Sequence, residues 1–365
     1  MTENPSVDVA VEGPVLVVGT GLIGTSIALS LIRAGVDVLL EDVNASALQE
    51  AVYRGAGSVL ADQTPSIVVV AVPPSVAARE LAEASNRFPA STITDTTSVK
   101  GHVLDEAIRL GADSTRLIGG HPMAGRETSG PAAARADLLD DRLWILTPTG
   151  QEGQEHLARA RHLVATCGAS VEIMDAAEHD AAVALVSHAP QILASTLASV
   201  LVDEPAERIR IAGQGLADTT RIAASDTELW MQILQANAGP VAGVLESVMT
   251  QLRRAVSSLD PDDSEDAATA LRQVLQQGKE GRSRLPGKHG AAATRYAVVP
   301  VMVEDKPGEL ARLFVAAGDL GINLEDVRIE HVLGRPSGLV DLFVRPDAQE
   351  SLVSGLEQSG FDVRA

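Results

Sequence analysis

Val15-Leu16-Val17-Val18-Gly19-Thr20-Gly21-Leu22-Ile23-Gly24, running on as a helical pattern to Ala34, decides the fold. An apolar β-branched run that turns through three glycines into a helix is the opening of a dinucleotide-binding βαβ unit. Gly19 permits the tight turn, Gly21 lets backbone N–H groups approach a pyrophosphate, and Gly24 allows close helix-to-strand packing. Thr20, Leu22 and Ile23 complete the cradle at the helix N-terminus. Glycine turns also arise for purely structural reasons, so the context matters. The second strand ends at Asp42, about 20 residues further on, where an acid accepts hydrogen bonds from the ribose hydroxyls of NAD. Its other reading is a residue that starts the next helix. Glu41 would point to the opposite side of the strand. The nearest cation for an additional phosphate, Arg54, lies well into the following helix, so NAD is expected over NADP.

Further strand-like runs follow at 36–40 (VDVLL), 66–72 (SIVVVAV), 91–94 (STIT), 116–120 (RLIGG), 142–146 (RLWIL) and 169–174 (ASVEIM), separated by helical patterns. SIVVVAV is apolar without alternation, as in a parallel strand buried on both faces. Residues 14–177 therefore form a Rossmann-type doubly wound α/β domain, preceded by a leader at 1–13 that lacks the basic and apolar regions of a secretion signal. From 178 to 278 helix formers dominate, and Ser225 with Glu228 has capping-box spacing. The uncharged stretch 181–202 carries His188, Pro190 and Gln191, which are costly in lipid, so it reads as a buried helix. Being apolar nearly all round, that helix is expected to pack against a second subunit, giving a homodimer. Residues 279–294 are a Gly- and Lys/Arg-rich linker, and 295–365 read as a ferredoxin-like βαββαβ module.

With 365 residues the chain is long enough for two or three domains. Its formal charge of −20 and its two Trp, two Tyr and four Phe residues argue against a nucleic-acid surface. Cys167 is the single cysteine, which excludes an internal disulfide and a thiolate metal site and fits a reducing cytoplasm. Neither a zinc-protease motif nor a G-x-S-x-G elbow occurs, so no metal is expected.

In doubly wound sheets ligands bind outside the carboxyl ends of the strands. Three segments fall there. Val72 and Pro73 close one strand and would line the nicotinamide pocket, or simply terminate the strand. Asp95-Thr96-Thr97-Ser98-Val99-Lys100 offers hydroxyls and a cation, or a capped helix start. In Gly119-Gly120-His121-Pro122-Met123-Ala124-Gly125-Arg126-Glu127, the flanking glycines would expose His121 as a general base. In the helical region His179-Asp180 opens the apolar helix, and Pro190 should bend it to present His188 and Gln191 to a cleft, the alternative being a core histidine beside a tolerated kink. Arg221, in a neutral to acidic neighbourhood, would clamp a carboxylate or pair with Asp218 or Asp226.

The segments GTGLIG, DTTSVKG, GGHPMAGRETSG, HDAAVALVSHAPQ and DTTRIAASDTELW, in this order, resemble the prephenate dehydrogenase family of tyrosine biosynthesis, which includes the arogenate dehydrogenases. The resemblance implies a nicotinamide-binding domain, a helical dimerisation domain and oxidative decarboxylation of a cyclohexadienyl substrate, with carbon dioxide loss aromatising the ring. It gives His121 the ring-hydroxyl proton as hydride leaves for NAD. It places Ser98 at the ring hydroxyl or nicotinamide and Arg221 at the substrate carboxylate. Glu127 and His188 would shape the cleft, Asp218 would orient nearby groups, and Trp230 would border the entrance. Gln191 stands where the family often has a second histidine; this leaves the side-chain preference open, with prephenate favoured over arogenate. The C-terminal module resembles an ACT domain. That implies an amino-acid effector at Asp305, Pro307, Gly308, Glu309, Leu310, Asn323 and Leu324, or a purely structural dimerising module. Outside catalysis, the competing reading is an amino-acid-responsive NAD sensor.

Overall fold

The computed structural model describes residues 11, 13–125, 130–259, 266–285, 296–331 and 337–364. They fall into two compact units, Met1–Met249 and Thr250–Ala365. The first begins with an eight-stranded sheet made of β1 (Val15–Val18), β2 (Val38–Glu41), β3 (Ser58–Val59), β4 (Ile67–Val70), β5 (Thr92–Asp95), β6 (Leu117–Pro122), β7 (Leu143–Pro148) and β8 (Ser170–Ile173). Its order is β3-β2-β1-β4-β5-β6-β7-β8, so the chain reverses direction across the sheet between β1 and β4. Helices α1 (Leu22–Arg33), α2 (Ala45–Tyr53), α3 (Pro74–Arg87), α4 (Gly101–Arg109) and α5 (Gln154–Thr166) cover both faces. Alternate residues of the central strands divide between two cores: Val15, Val17, Ile67 and Val69 pack with Ile27, Leu31 and Leu163. Leu16, Val68 and Val70 pack with Leu81, Val103 and Leu104 on the other face. Burial on both sides explains why these strands read as unbroken apolar runs.

The sheet departs from the expectation in two places. β7 runs antiparallel to β6, with no crossover helix between them among the described residues, and β8 then pairs parallel to β7. β3, a two-residue edge strand, is too short to leave a pattern in the sequence.

The helical region contains α6 (Ala176–Val183), a π-helical turn (Ala184–His188), α7 (Ala189–Ser199), α8 (Ala206–Ile209), α9 (Gln214–Thr220), α10 (Thr227–Ala236) and α11 (Ala238–Ser257), the last crossing the division between the units. Pro190 cannot donate to the carbonyl one turn back, and the backbone passes it by widening into the π turn just ahead of it. The expected capping box at Ser225 is replaced by Asp226, whose carboxylate accepts the Leu229 N–H at 2.7 Å. Ala176–Ser199 is long and apolar enough to cross a bilayer, alone among the helices of the described residues. It nonetheless buries His179, Asp180 and His188 within the protein, while Leu185 and Val186 are each 61% exposed.

In the second unit α12 (Asp266–Ser283) continues to Ser283, so the first residues of the expected linker are helical. The later part, 286–294, and the leader 1–10 lie outside the described residues. β9 (Ala297–Glu304), α13 (Glu309–Asp319), β10 (Asp326–His331), β11 (Ser337–Val344), α14 (Gln349–Gln358) and β12 (Asp362–Val363) follow as a βαββαβ unit. Its small antiparallel sheet has the order β10-β11-β9-β12. Val299, Val301 and Val303 alternate into a core with Leu313, Leu342 and Leu352.

Candidate active site

At the β1–α1 turn two glycines are required by the protein itself. Gly19 has φ +97°, and a Cβ there would collide with the Ala71 carbonyl; a Cβ on Gly24 would collide with the Gly19 carbonyl. Gly21 differs: a Cβ there would meet nothing within 4 Å. Packing does not demand glycine at this position, whereas a pyrophosphate resting on the first N–H groups of α1 does. Gly21 is the N-cap of α1 and no side chain caps the helix. Thr20 is buried, and Leu22 and Ile23 are half-buried on the first turn.

Asp42 lies just past the end of β2. Its Oδ2 accepts from the Thr20 N–H at 2.6 Å and the Thr20 hydroxyl at 2.8 Å, and its Oδ1 accepts the Asn44 N–H at 2.7 Å. The carboxylate is thereby held over the glycine turn with acceptor capacity left on Oδ1. Asn44, not Asp42, caps α2. Glu41 is turned aside to Arg87 at 2.8 Å, and Arg54 donates to the Ala134 carbonyl at 2.8 Å. Val72 packs over Gly19, with Cγ1 2.9 Å from where a Gly19 Cβ would stand, and Pro73 is the N-cap of α3. These features form a cradle that fits NAD.

Behind the ends of β5 and β6 lies a buried ion pair. The side chains of Lys100 and Asp95 are both 0% exposed and in direct contact. Lys100 Nζ also donates to Thr97 Oγ1 at 3.0 Å and to the Gly120 carbonyl at 2.6 Å, so all three of its protons have partners. Asp95 accepts the Gly120 N–H at 3.0 Å and the Thr97 N–H at 2.9 Å. Burial lowers the Lys100 pKa against the opposing pull of Asp95. This pair pins Gly120 by both its backbone groups, immediately before His121. Gly119 and Gly120 do not serve to expose the histidine, as the sequence suggested. A Cβ on Gly119 would strike the Thr147 hydroxyl and press on Lys100, and one on Gly120 would lie 2.5 Å from the Asp95 carbonyl. They are glycines because the network fills the space. Ser98, half-buried, sits in the same loop between Thr97 and Val99.

His121, half-buried, directs Nδ1 to His179 Nε2 at 2.8 Å, and His179 Nδ1 meets Asp180 Oδ1 at 2.8 Å. Asp180 also accepts the N–H groups of Lys100 and Gly101, both at 2.8 Å, and so caps α4 from the helical region. The capped helix start that was one reading of residues 95–100 is thus completed by a residue about 80 positions away in the chain. Burial, then the Lys100 charge, then His179 and His188 hold the His121 pKa well below its ordinary 6.5. For Asp180 burial pushes upward, but the hydrogen bonds from His179, Lys100 and Gly101 together bring the carboxyl below its ordinary value.

Of the two readings of His188, a cleft position and a core histidine, the structure has the second. It is 1% exposed, with Nδ1 3.0 Å from Asn237 Nδ2 and its ring edge-on to Trp230 at 6.0 Å between centroids. Desolvation lowers its pKa to about 4. Asn237 Nδ2 also donates to the Asp180 carbonyl at 2.8 Å. Gln191 does reach a cavity, of about 320 Å³, lined also by Ser195, Thr196, Ser225, Trp230 and Met231. Gln191 is 5% exposed and its Oε1 has no hydrogen-bond partner among the described residues. Arg221 is exposed at the end of α9, where the chain enters a 3₁₀ turn packed on α7. Asp218 accepts from Gln214 at 2.8 Å. Glu127 lies outside the described residues.

In the second unit Asp305, Pro307 and Gly308 are exposed at the β9–α13 turn, with Gly308 at φ +94°. Glu309 pairs with Arg312 at 2.8 Å, and Leu310 is 37% exposed. Asn323 donates to Glu325 at 2.9 Å, and Leu324 packs on the core.

His179, Asp180 and Asn237 are the functional candidates that sequence reasoning left without a role. An adjacent pair of ionisable residues inside an apolar helix was the available signal for the first two.

Residues 27–173 match the nucleotide-binding domain of prephenate dehydrogenase, and residues 175–277 match its dimerization domain. "Probable prephenate dehydrogenase NovF" of Streptomyces niveus is 36% identical over 353 residues, covering 94% of this chain and 97% of that protein. Among solved structures, prephenate dehydrogenase from A. aeolicus in complex with hydroxyphenyl propionate and NAD+ is similar at TM-score 0.65 and 29% identity, covering 75% of this chain and 99% of that one. Synechocystis arogenate dehydrogenase is similar at TM-score 0.63 and 27% identity, covering 74% and 98%.

Proposed function

This chain belongs to the prephenate dehydrogenase family, and from that premise we propose that it is an NAD-dependent oxidoreductase converting prephenate to 4-hydroxyphenylpyruvate in the cytoplasm. Bound at the glycine turn, NAD supplies the hydride acceptor. The residues of this chain do the rest. Gly21 faces the pyrophosphate on a turn that Gly19 and Gly24 keep tight and Thr20 ties to Asp42, Asp42 takes the ribose hydroxyls, and Val72, Pro73 and Ser98 border the nicotinamide. His121 takes the proton of the ring hydroxyl. Arg221 holds a substrate carboxylate, Asp218 orients nearby groups, Trp230 borders the entrance, and Glu127 and His188 shape the cleft, His188 from within the core, edge-on to Trp230. A base held neutral by burial and by the Lys100 charge is ready to accept that proton across the neutral pH range. The observation that carries this reading is the meeting, at one sheet edge, of a dinucleotide cradle and an imidazole with a buried polar support.

Gln191 favours arogenate as a second reading. Gln191 lines the cavity and its buried carbonyl oxygen has no partner among the described residues; an ammonium group, which arogenate has and prephenate lacks, would supply the donor. NAD reduction measured with each substrate, and with NADP in place of NAD, decides both questions. The proposal requires NADH formation with prephenate; activity with arogenate alone would transfer the assignment to the second reading, and activity with neither would remove it.

We also assign the exposed surface around residues 176–202 to a homodimer contact, in keeping with the matched dimerization domain. The βαββαβ unit is proposed as a ferredoxin-like, ACT-type effector domain, with an aromatic amino acid bound between Asp305–Leu310 and Asn323–Leu324. A change in kcat or KM on titrating tyrosine into the full chain would support it, and no change with any aromatic amino acid would leave a structural module.

A further inference from the structure

The side-chain chain His121–His179–Asp180 fixes where protons sit. Asp180 is ionised, held below its ordinary pKa by three hydrogen bonds, and an ionised carboxylate only accepts. A neutral His179 then carries its proton on Nδ1 and presents a bare Nε2. His121 must in turn donate from Nδ1, which leaves Nε2 as its lone pair. His121 Nε2 has no hydrogen-bond partner among the described residues. From this arrangement we propose that His179 and Asp180 are positioning residues, which select the one neutral tautomer of His121 able to take a proton at Nε2 and spread the positive charge that results. The proposal rests on His121 being the base of the reaction assigned above.

The step balances simply. The substrate O–H bond breaks, its proton goes to His121 Nε2 and its electron pair forms the carbonyl. The ring hydride passes to NAD, the bond to the ring carboxylate breaks with release of carbon dioxide and its electron pair aromatises the ring, and the phenolate oxygen takes a proton back. The imidazolium left behind keeps its Nδ1–H bonded to His179, whose own N–H remains on Asp180. Lys100 opposes that charge and Asp95 offsets Lys100, so the acidic end of the relay supplies a further negative charge on the other side of the imidazolium. Asp180 carries a second duty. By capping α4 it ties the relay to the loop that holds Ser98 and Lys100, so that base and nicotinamide wall are set by one carboxylate.

Two measurements test this. In the wild-type protein labelled with ¹⁵N-histidine, at pH 8, the expected pattern is His121 protonated at Nδ1 and bare at Nε2, and His179 likewise. Assignment would use His121→Asn and His179→Gln. A proton on Nε2 of His121 would overturn the proposal whatever the substrate proves to be. In turnover, His179→Phe should lose about 10- to 10²-fold in kcat, with KM for NAD within about twofold of wild type. His179→Gln, whose amide oxygen can accept the Nδ1 proton, should recover most of the loss. Equal losses in the Phe and Gln variants, or a KM effect without a kcat effect, would reduce His179 to a packing residue. Were the wild type to oxidise neither prephenate nor arogenate, the substrate assignment would fall and the ¹⁵N pattern would decide the relay alone.

Discussion

The β1–α1 turn and the end of β6 stand at the same edge of one sheet, yet they are built by opposite means. The first works by removing side chains: Gly19 and Gly24 let backbone segments touch, and Gly21 leaves space that the protein does not use. The second works by burying charge: Lys100, Asp95, His179 and Asp180 are all buried behind a half-buried His121. A cradle for a diphosphate needs only backbone N–H groups and a helix dipole. A base needs a defined tautomer and a held orientation, which backbone alone does not provide.

The largest expected difference between the two regions is kinetic. His121→Asn should lower kcat by about 10²- to 10⁴-fold while leaving the Kd for NAD unchanged. Steady-state turnover and NAD titration on the same preparation check this; retained turnover would remove His121 from the chemistry.

Next comes the buried pair. Lys100→Met leaves Asp95 charged, buried and unpaired, a loss of about 3–5 kcal/mol in denaturant unfolding. Lys100→Met with Asp95→Asn should lose less than the single variant, since no uncompensated charge remains. A double variant as unstable as the single one would show that the pair does not act as a unit.

The polar side should also make folding sensitive to acid. His188 is held at about 4 against an ordinary 6.5, with Asp180 pulling it up and burial and His179 pushing it down. Above pH 6.5 neither state binds the proton and its contribution is constant. As pH falls towards 4 the unfolded chain takes a proton that the folded one refuses, and about 3 kcal/mol is lost. Unfolding midpoints between pH 7.5 and 4.5 test the sign, and His188→Gln should flatten the slope.

The smallest effect separates the glycines from each other. Gly21→Ala should keep wild-type stability and weaken NAD by about tenfold, or about 1.4 kcal/mol. Gly24→Ala, pressed on the Gly19 carbonyl, should destabilise by about 1–3 kcal/mol even without ligand. Equal stability of the two variants would contradict the division between packing and ligand glycines.

The same contrast explains what could be read from the sequence. The glycine turn, the strands of the two buried cores and the place of Asp42 at the end of β2 were legible because their geometry is local or spaced by a fixed βαβ unit. The βαββαβ order of the C-terminal sheet was legible for the same reason. The support of His121 was not, because it joins residues 95–100, 119–121 and 179–180, which only the fold brings together. The reversed direction of β7 escaped too, since a strand's sequence does not record its partner's direction. For His188 the sequence left a cleft and a core position open, and the core reading holds, because a proline kink predicts a bend without saying which side chains the bend turns inward.

A crystal structure with NAD and an unreactive substrate analogue bearing the ring hydroxyl would test the assignment of His121 most directly. The expected result is His121 Nε2 at about 2.6–3.2 Å from that hydroxyl, with Nδ1 still on His179. A hydroxyl held by another side chain, with the imidazole turned away from the ring, would contradict it.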